Sequence, residues 1–255
     1  SDAIVVCGTT GEASTMTAEE KLAAISFAVK QAAKRVPIIA GTGSNNTATV
    51  IRESKAAEGA GADALLIVTP YYNKTSQAGL IAHYNAIADA VNIPIIIYNV
   101  PGRTGLNLLP ETMKKLLAHK NIVGIKEASA NIEQIVQLAA IAPECNIYSG
   151  NDDHVLPLLS LGGCGVISTI ANVIPKDMHD LCEAYFSGNI KEAAKLQFKV
   201  LPIWKAAFSE VNPIPIKTMC AMLGLCSNLL RLPLCPPSEV NRALMEKALK
   251  DYGLM

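Results

Sequence analysis

The sequence predicts an α/β fold of the (β/α)8 TIM-barrel type, with seven of the eight strands and a helical extension at its C-terminal end. Short β-branched runs alternate with amphipathic helical stretches along the 255 residues. The first five runs recur at a spacing of about thirty residues, which is the length of one strand-and-helix unit. Half of the residues are hydrophobic, 17% are charged and 5% are aromatic, which is typical of buried parallel strands covered by helices.

The predicted strands are short apolar runs that end in polar or glycine-rich residues. They are Ala3–Cys7, Pro37–Ala40, Ala64–Thr69, Pro94–Asn99, Ile122–Lys126, Asn146–Ser149 and Gly165–Thr169. Strict alternation of strand and helix indicates a parallel sheet, because parallel neighbours need a crossover connection between them. This many equal units favours a closed barrel over an open sheet.

Helices are predicted from a period near 3.6 residues and from capping signals. The first, Thr17–Lys34, begins with Thr17 and Glu20 at the spacing of a capping box. Those between later strands are 46–60, 76–91, 110–119 and 131–141, and four more follow without strands at 175–186, 190–208, 214–223 and 237–252. We expect Pro202 to kink the helix in which it lies.

Two domain-level expectations follow from this pattern. Residues 1–174 are predicted to form the barrel, and residues 175–255 the last barrel helix region and the C-terminal helical extension. The sequence begins directly on a strand, and a complete barrel needs an eighth. We therefore expect that the first strand and helix of the barrel are missing from this sequence.

Composition argues against several classes of protein. Lys+Arg and Asp+Glu number 22 each and no basic run occurs, so neither nucleic acid nor a membrane surface is a predicted partner. The apolar runs are far shorter than a membrane span, and no signal peptide is visible. The seven cysteines lack Cys-x-x-Cys spacing and mostly lie in apolar runs, which indicates reduced, buried thiols in a cytoplasmic protein. The four histidines lie far apart, so no metal site is predicted.

Lys126 is the main candidate for catalysis. The carboxyl ends of barrel strands meet on one face, where the active site lies, and Lys126 ends the apolar run Ile122–Ile125. Burial disfavours the ammonium form, and a lysine whose pKa falls to roughly 7–8 can attack a carbonyl group. The alternative is a structural ion pair with Glu127, but successive side chains of a strand point to opposite faces.

Three further features of that face suit such chemistry. Tyr98 ends the neighbouring strand, so its phenol can transfer protons beside Lys126, or can be a buried tyrosine with a satisfied hydroxyl. The turn Gly8–Glu12 offers backbone amides and two hydroxyls to a carboxylate, although such turns are common. Arg103 can bind a second carboxylate bidentately, or can be a solvated loop arginine.

Five motifs carry a resemblance to one family. They are Gly-Thr-Thr-Gly-Glu at 8–12, Thr-Pro-Tyr-Tyr-Asn at 69–73, Tyr-Asn-Val-Pro-Gly-Arg-Thr-Gly at 98–105, Gly-Ile-Lys-Glu-Ala at 124–128 and Asn-Pro-Ile-Pro-Ile-Lys at 212–217. In this order the chain resembles the dihydrodipicolinate synthase family, within the N-acetylneuraminate lyase superfamily, from Asp2 to Met255. The resemblance implies a homo-oligomer, usually a tetramer built as a dimer of dimers.

The resemblance implies a class I, Schiff-base lyase. It would condense pyruvate with L-aspartate 4-semialdehyde to 4-hydroxy-tetrahydrodipicolinate, the first committed step of the diaminopimelate and lysine pathway. No cofactor is implied, because the imine nitrogen serves as the electron sink.

Residue roles carry over to the matching positions of this sequence. Lys126 would form the imine with pyruvate, and the proton relay would be Thr9, Tyr98 and a Tyr72 from a neighbouring subunit. The groups around the two substrates would be Thr10, Gly150 and Ile167 at the pyruvate unit and Arg103 at the carboxylate of the semialdehyde.

Other functions remain open at this point. N-acetylneuraminate lyases and keto-deoxy-sugar acid aldolases share the lysine and the tyrosine, but Arg103 fits a short carboxylated aldehyde better than a polyol. A phosphate-binding barrel isomerase is disfavoured, because Gly150–Asp153 places carboxylates where phosphate would bind. An inactive paralogue is a further alternative, since a chain without its first strand and helix can lack a closed barrel.

The resemblance also bears on feedback by L-lysine. In lysine-inhibited relatives the effector lies at a subunit interface, and Asn45 and Tyr71 match polar residues of that site. Ala18 and Lys21 stand where such relatives have histidines, and Thr49 stands where they have an acidic residue. Without that carboxylate the effector's ammonium group lacks a partner, and Lys21 adds repulsion, so we expect no regulation by L-lysine.

Overall fold

The computed structural model describes residues Ser1–Met255, which form two compact units. The sheet unit comprises residues 2–8 and 17–167, and the helical unit comprises Ser1, residues 9–16 and residues 168–255. The proposed domain boundary after residue 174 stays a prediction, because a compact unit is not by itself a folding domain.

The sheet unit is built on seven parallel strands, each paired with the next one along the chain. The strands are β1 (Ile4–Val6), β2 (Ile38–Gly41), β3 (Ala64–Val68), β4 (Ile95–Asn99), β5 (Ile122–Glu127), β6 (Asn146–Ser149) and β7 (Gly165–Val166). All seven fall on the predicted runs. This parallel order confirms the predicted fold class, an α/β chain of the (β/α)8 type.

Helices separate the strands of the sheet unit. They are α1 (Ala18–Ala32), α2 (Thr47–Gly59), α3 (Gln77–Ala88), α4 (Pro101–Thr104), α5 (Pro110–Leu116), α6 (Ile132–Ile141) and α7 (Val155–Ser160). The predicted capping box is confirmed: Thr17 Oγ1 accepts from the Glu20 N–H at 3.2 Å, and Glu20 Oε2 accepts from the Thr17 N–H at 2.9 Å. Such a cap stabilises a helix by about 1 kcal/mol. Helices α4 and α7 were not predicted, because they are too short to show a helical period.

Alternate residues of neighbouring strands form the part of the core that supports the site. Side chains at i and i+2 of a strand share one face of the sheet. On this face the buried cluster consists of Ile39, Leu66, Ile96, Tyr98 and Val100, with Val5, Val68, Tyr148 and Ile167 packed against it. Tyr98 is 8% exposed, so it is part of this core.

The helical unit contains the C-terminal helices, as predicted. They are α8 (Pro175–Phe186), α9 (Ile190–Ala207), α10 (Ile214–Met222) and α11 (Glu239–Tyr252). Asp177 of α8 accepts hydrogen bonds from Lys199 Nζ at 2.8 Å and from Tyr252 Oη at 2.7 Å, and so joins three of these helices. Helix α9 continues through Pro202. None of the helices is both long and apolar enough to cross a membrane.

The prediction that the cysteine thiols are buried is partly wrong. Cys7 and Cys145 are buried, but Cys164, Cys226 and Cys235 are exposed. Cys164 precedes β7, and Cys226 and Cys235 lie in the irregular segment between α10 and α11. Apolar neighbours in sequence bury a side chain only where regular structure turns it toward a core, and these segments do not.

Candidate active site

The pairing of β4 with β5 places Tyr98 directly opposite Lys126. The Lys126 Nζ atom lies 4.5 Å from the centroid of the Tyr98 ring. A cationic amine at this distance is attracted by the ring quadrupole, and this attraction favours the position of the Lys126 amine over the Tyr98 ring. The structure thus brings together the lysine and the tyrosine that the strand ends predicted.

The surroundings of Lys126 favour its neutral amine. Burial lowers the pKa of Lys126 from 10.5 to about 8, the Asp152 carboxylate opposes this shift, and the Arg103 guanidinium adds to it. At pH 7 about a tenth of such lysines carry a free amine, against roughly three in ten thousand at the ordinary pKa. Lys126 as a whole residue is only partly buried.

The alternative ion pair between Lys126 and Glu127 does not form. Glu127 is 2% exposed and its carboxylate accepts hydrogen bonds from the Ser129 N–H at 2.6 Å and from Asn99 Nδ2 at 3.0 Å. Its side chain therefore points away from Lys126, as the alternation of side chains along a strand requires.

Arg103 lies on the short helix α4, directly after β4. Its backbone N–H donates to Val100 O at 2.9 Å, and Gly105 ends the turn with a left-handed φ of 67°. The guanidinium is exposed, yet its charge lowers the pKa of Lys126. An exposed cation close enough to act on the buried amine suits the binding of a substrate carboxylate.

Gly150 and Ile167 follow the next two strands. The Gly150 N–H donates to Glu127 O at 2.8 Å, and a Cβ at this position would lie 2.5 Å from the Ala128 Cβ. The Ile167 N–H donates to Ser149 O at 2.9 Å, and its side chain packs on the cluster that contains Tyr98. Only glycine fits at position 150, which lies beside the strand of Lys126, whereas Ile167 lies one strand further along the sheet.

Tyr72 is not brought to Lys126 within this chain. Its side chain is 90% exposed, and its backbone has a φ of 71°, a left-handed value that is strained for a non-glycine residue. Two hydrogen bonds hold the turn: Asn45 Nδ2 donates to Tyr71 O at 3.1 Å, and Asn73 Nδ2 donates to Asn45 O at 2.9 Å. The turn therefore presents an aromatic side chain outward from the chain.

Thr9 and Thr10 belong to the helical unit and lie in a single turn of 3-10 helix, Thr9–Gly11. Asn212 Nδ2 donates to Thr10 Oγ1 at 3.1 Å. The last residue of the motif, Glu12, forms an ion pair with Lys217 and accepts from the Arg231 N–H at 2.9 Å. Residues 9–12 and the motif at 212–217 thus meet within this unit.

Sequence reasoning missed two features of the site. One is Asp152, which is 1% exposed and whose charge raises the pKa of Lys126; its position after β6 was the available signal. The other is a set of four hydrogen-bonded polar residues, Asn99, Asn107, Glu127 and Gln134. The signal for this set was a carboxylate, Glu127, within a buried strand.

Comparisons with known proteins agree on one family. The model of the dihydrodipicolinate synthetase family matches residues 1–252. The 4-hydroxy-tetrahydrodipicolinate synthase of Caldicellulosiruptor bescii is 55% identical over 253 residues, covering 99% of this chain and 86% of the relative. That of Clostridium novyi is 53% identical, with the same coverage of 99% and 86%.

Solved structures give the same result. The structure described as the first monomeric dihydrodipicolinate synthase variant has a TM-score of 0.98 at 44% identity and covers 100% of this chain and 86% of its own. The chloride-inhibited synthase of Acinetobacter baumannii, complexed with pyruvate, has a TM-score of 0.97 at 44% identity, with coverage of 100% and 88%. A synthase from Cyanidioschyzon merolae with lysine bound has a TM-score of 0.96 at 39% identity, with coverage of 100% and 87%.

Proposed function

The chain belongs to the dihydrodipicolinate synthetase family, and from this premise we propose that Lys126 is the nucleophile of a 4-hydroxy-tetrahydrodipicolinate synthase. The enzyme is a lyase that condenses pyruvate with L-aspartate 4-semialdehyde. One observation carries the assignment: the Lys126 amine, whose pKa falls to about 8, lies 4.5 Å from the Tyr98 ring at the end of the sheet. An amine of this kind attacks a ketone readily near neutral pH.

The reaction starts when the neutral Lys126 amine adds to the C2 carbonyl of pyruvate. Loss of water gives the protonated imine, and removal of a proton from C3 gives an enamine, with the imine nitrogen as electron sink. The Tyr98 phenol and the Thr9 hydroxyl move these protons, together with Tyr72 of a second copy of the chain. No cofactor takes part in these steps.

The enamine carbon then attacks the aldehyde carbon of the semialdehyde, whose carboxylate is held by the Arg103 guanidinium. The amino group of the semialdehyde displaces Lys126 from the former pyruvate carbon, which closes the ring and frees the lysine. Thr10, Gly150 and Ile167 surround the pyruvate unit. The backbone of Gly150, which donates to Glu127 O at 2.8 Å on the strand that carries Lys126, supports that placement.

The proposed substrate is tested by direct assay. We expect the purified protein to consume pyruvate only when L-aspartate 4-semialdehyde is present, and to leave N-acetylneuraminate unchanged. In Arg103→Ala the KM for the semialdehyde should rise by about 10- to 100-fold, since a charge-assisted hydrogen bond contributes roughly 1.5–3 kcal/mol. The steady-state rate with varied aldehyde measures both effects.

Capture of pyruvate by Lys126 should survive in Arg103→Ala, because the guanidinium is assigned to the second substrate. Equal loss of pyruvate capture and of aldehyde handling would show that Arg103 is structural. Turnover of N-acetylneuraminate by the unaltered protein would instead favour the aldolase alternative.

We also propose a homotetramer in which Tyr72 completes the site of a neighbouring subunit. The Tyr72 side chain is 90% exposed, and its backbone φ of 71° is strained for a non-glycine residue. Both features support a role outside its own chain. Three exposed free thiols support a reducing, cytoplasmic location, because such thiols oxidise elsewhere.

Tyr72 gives a test of the shared site. Tyr72→Phe should lower kcat by about 100-fold, as expected for loss of one group of a proton relay. Mixing this variant with Lys126→Ala should restore activity, because a hybrid site then combines an intact Lys126 with an intact Tyr72. Absence of recovery in hybrids verified by native mass spectrometry would mean that each site is built from one chain.

Regulation by L-lysine is expected to be absent. Lys21 Nζ pairs with Glu53 Oε2 at 2.6 Å, so the predicted repulsion by Lys21 is weaker than its bare charge suggests. The lack of a carboxylate at Thr49 remains, and an ammonium group without that partner binds poorly. Titration with L-lysine at saturating pyruvate should leave the rate unchanged, whereas inhibition at millimolar concentrations would show that other residues form an effector site.

A further inference from the structure

Behind the proposed site lies a cluster of polar side chains, here called the amide network, in which Asn99, Glu127 and Gln134 are buried and Asn107 is partly buried. It consists of Asn99, Asn107, Glu127 and Gln134. Asn99 Nδ2 donates to Glu127 Oε2 at 3.0 Å and to Asn107 Oδ1 at 2.9 Å. Asn107 Nδ2 donates to Gln134 Oε1 at 2.7 Å, and Gln134 Nε2 donates to Glu127 Oε2 at 3.2 Å. The four side chains therefore form a closed ring of hydrogen bonds.

The Glu127 carboxylate is the centre of the amide network. Both of its oxygens accept N–H groups, Oε1 from Ser129 and Oε2 from Asn99 and Gln134, and no cation pairs with it. A buried carboxylate is tolerated only when such donors replace its water. These donors are therefore held in one arrangement, because any departure leaves the charge unsatisfied.

The amide network sits on the reverse side of the two proposed catalytic residues. Asn99 follows Tyr98, and Glu127 follows Lys126. The strand register pairs Tyr98 with Lys126 and Asn99 with Glu127. Neighbouring side chains on a strand point to opposite faces. The Asn99–Glu127 hydrogen bond thus locks the same register that sets the Tyr98–Lys126 contact.

The network also closes the segment that carries Arg103. This segment leaves β4 at Asn99 and returns at Asn107 and Leu108, where the Leu108 N–H donates to Asn99 Oδ1 at 3.0 Å. Within it, Thr104 Oγ1 donates to Leu106 O at 2.9 Å. The Asn99 side chain thus bonds to the residues at which the segment returns, Asn107 and Leu108, and Arg103 lies between Asn99 and these residues.

We propose that the amide network is a positioning device that fixes the Arg103 segment relative to Lys126, and so sets the geometry between the two substrates. Asn107 is the link to the Arg103 segment, and Glu127 is the link to the strand of Lys126. The inference rests on the proposed function, since it assigns the aldehyde carboxylate to Arg103. None of the four residues touches substrate; they act through Arg103 and Lys126.

The test compares Asn107→Ala with a matched control, Asn121→Ala. Asn121 is also an asparagine whose Nδ2 donates hydrogen bonds, but its acceptors are Ala88 O and Val91 O before the start of β5, away from Lys126. We expect Asn107→Ala to raise the KM for the semialdehyde by about 10-fold, since a displacement near 1 Å can cost on the order of 100-fold in rate. Pyruvate capture at Lys126, trapped with borohydride, should change by less than about 2-fold, because the register bond of Glu127 remains. Asn121→Ala should lower only the melting temperature.

A second variant keeps the test decisive if Asn107→Ala does not fold. Asn107→Ser keeps a polar side chain, but serine is too short to bond to both Asn99 and Gln134, so it should show the same selective rise in the aldehyde KM. Glu127→Gln should instead impair both pyruvate capture and aldehyde handling, because in either orientation its NH2 group would face a donor, the Ser129 N–H or the amides of Asn99 and Gln134.

The inference is overturned if a folded Asn107 variant keeps the aldehyde KM unchanged, or loses pyruvate capture in proportion to it. It is equally overturned if Asn121→Ala shows the same selective rise. Failure of the unaltered protein to capture pyruvate at Lys126 would contradict the proposed function itself, so the two failures are distinguishable.

Discussion

Replacing Lys126 with alanine is expected to lower kcat by on the order of 1000-fold or more, because the covalent intermediate can no longer form. Lys126 is the amine whose pKa burial lowers to about 8, and it lies within 4.5 Å of the Tyr98 ring. Alanine removes the nucleophile, while the backbone pairing of β4 with β5 does not depend on this side chain. Steady-state rates at saturating concentrations of both substrates measure the loss.

The matched control is Lys114→Ala, because Lys114 is an exposed lysine of α5. It should leave kcat within about 2-fold, as expected for a surface substitution away from any site. An active Lys126→Ala variant, or an equally inactive Lys114→Ala variant, would remove Lys126 from the mechanism.

The pH dependence of pyruvate capture follows from the same lysine. Only the neutral amine attacks, so the rate of imine formation should rise with pH up to about 8 and then level off. Asp152 raises the pKa of Lys126, so Asp152→Asn should shift the rising part of this pH–rate profile to lower pH. A limb near the ordinary lysine pKa of 10.5 would mean that burial does not act on the reacting amine.

Tyr98→Phe is expected to produce the second largest loss, a fall in kcat of about 100- to 1000-fold, as general acid-base groups contribute. Phenylalanine keeps the ring that packs in the core cluster and lies beside Lys126, so the fold and the cation–π contact should persist. Only the hydroxyl that we propose to transfer protons is removed. Rapid-quench trapping of the pyruvate imine should therefore show slower formation with an unchanged final yield.

Tyr148 provides the control for this substitution. It lies opposite Lys126 on the other neighbouring strand, β6, and packs against the same cluster, but only Tyr98 has its ring against the lysine amine. Tyr148→Phe should change kcat by less than about 5-fold, since no proton-transfer role is assigned to it. Equal losses in the two variants would mean that the loss does not come from a proton-transfer role specific to Tyr98.

Local and periodic signals made much of this molecule predictable. The spacing of Thr17 and Glu20 predicted a capping box, and the structure has both hydrogen bonds. Lys126 and Tyr98 were identified because polar residues at the ends of buried strands converge on one face of a parallel sheet. The contact between them depends on strand order, which the alternation of strands and helices predicted, and on strand register, which the structure supplies.

Features that depend on contacts between distant residues could not be predicted in the same way. Asn99 and Glu127 are 28 positions apart, and neither shows in isolation that it completes a buried ring with Gln134. The left-handed backbone of Tyr72 is set by hydrogen bonds in its turn rather than by its own preference. Sequence motifs therefore located the proposed reacting groups, whereas the hydrogen bonds that hold the surrounding residues in place are seen only in the structure.

Borohydride reduction in the presence of pyruvate, followed by peptide mapping, tests the central assignment most directly. The chain carries many lysines besides Lys126, including the ion-paired Lys21 and Lys217, so the position of the label is informative. We predict one reduced pyruvyl group per chain, on Lys126, and no label in Lys126→Ala. A label on another lysine, or an unlabelled protein that still condenses pyruvate with the semialdehyde, would contradict the mechanism.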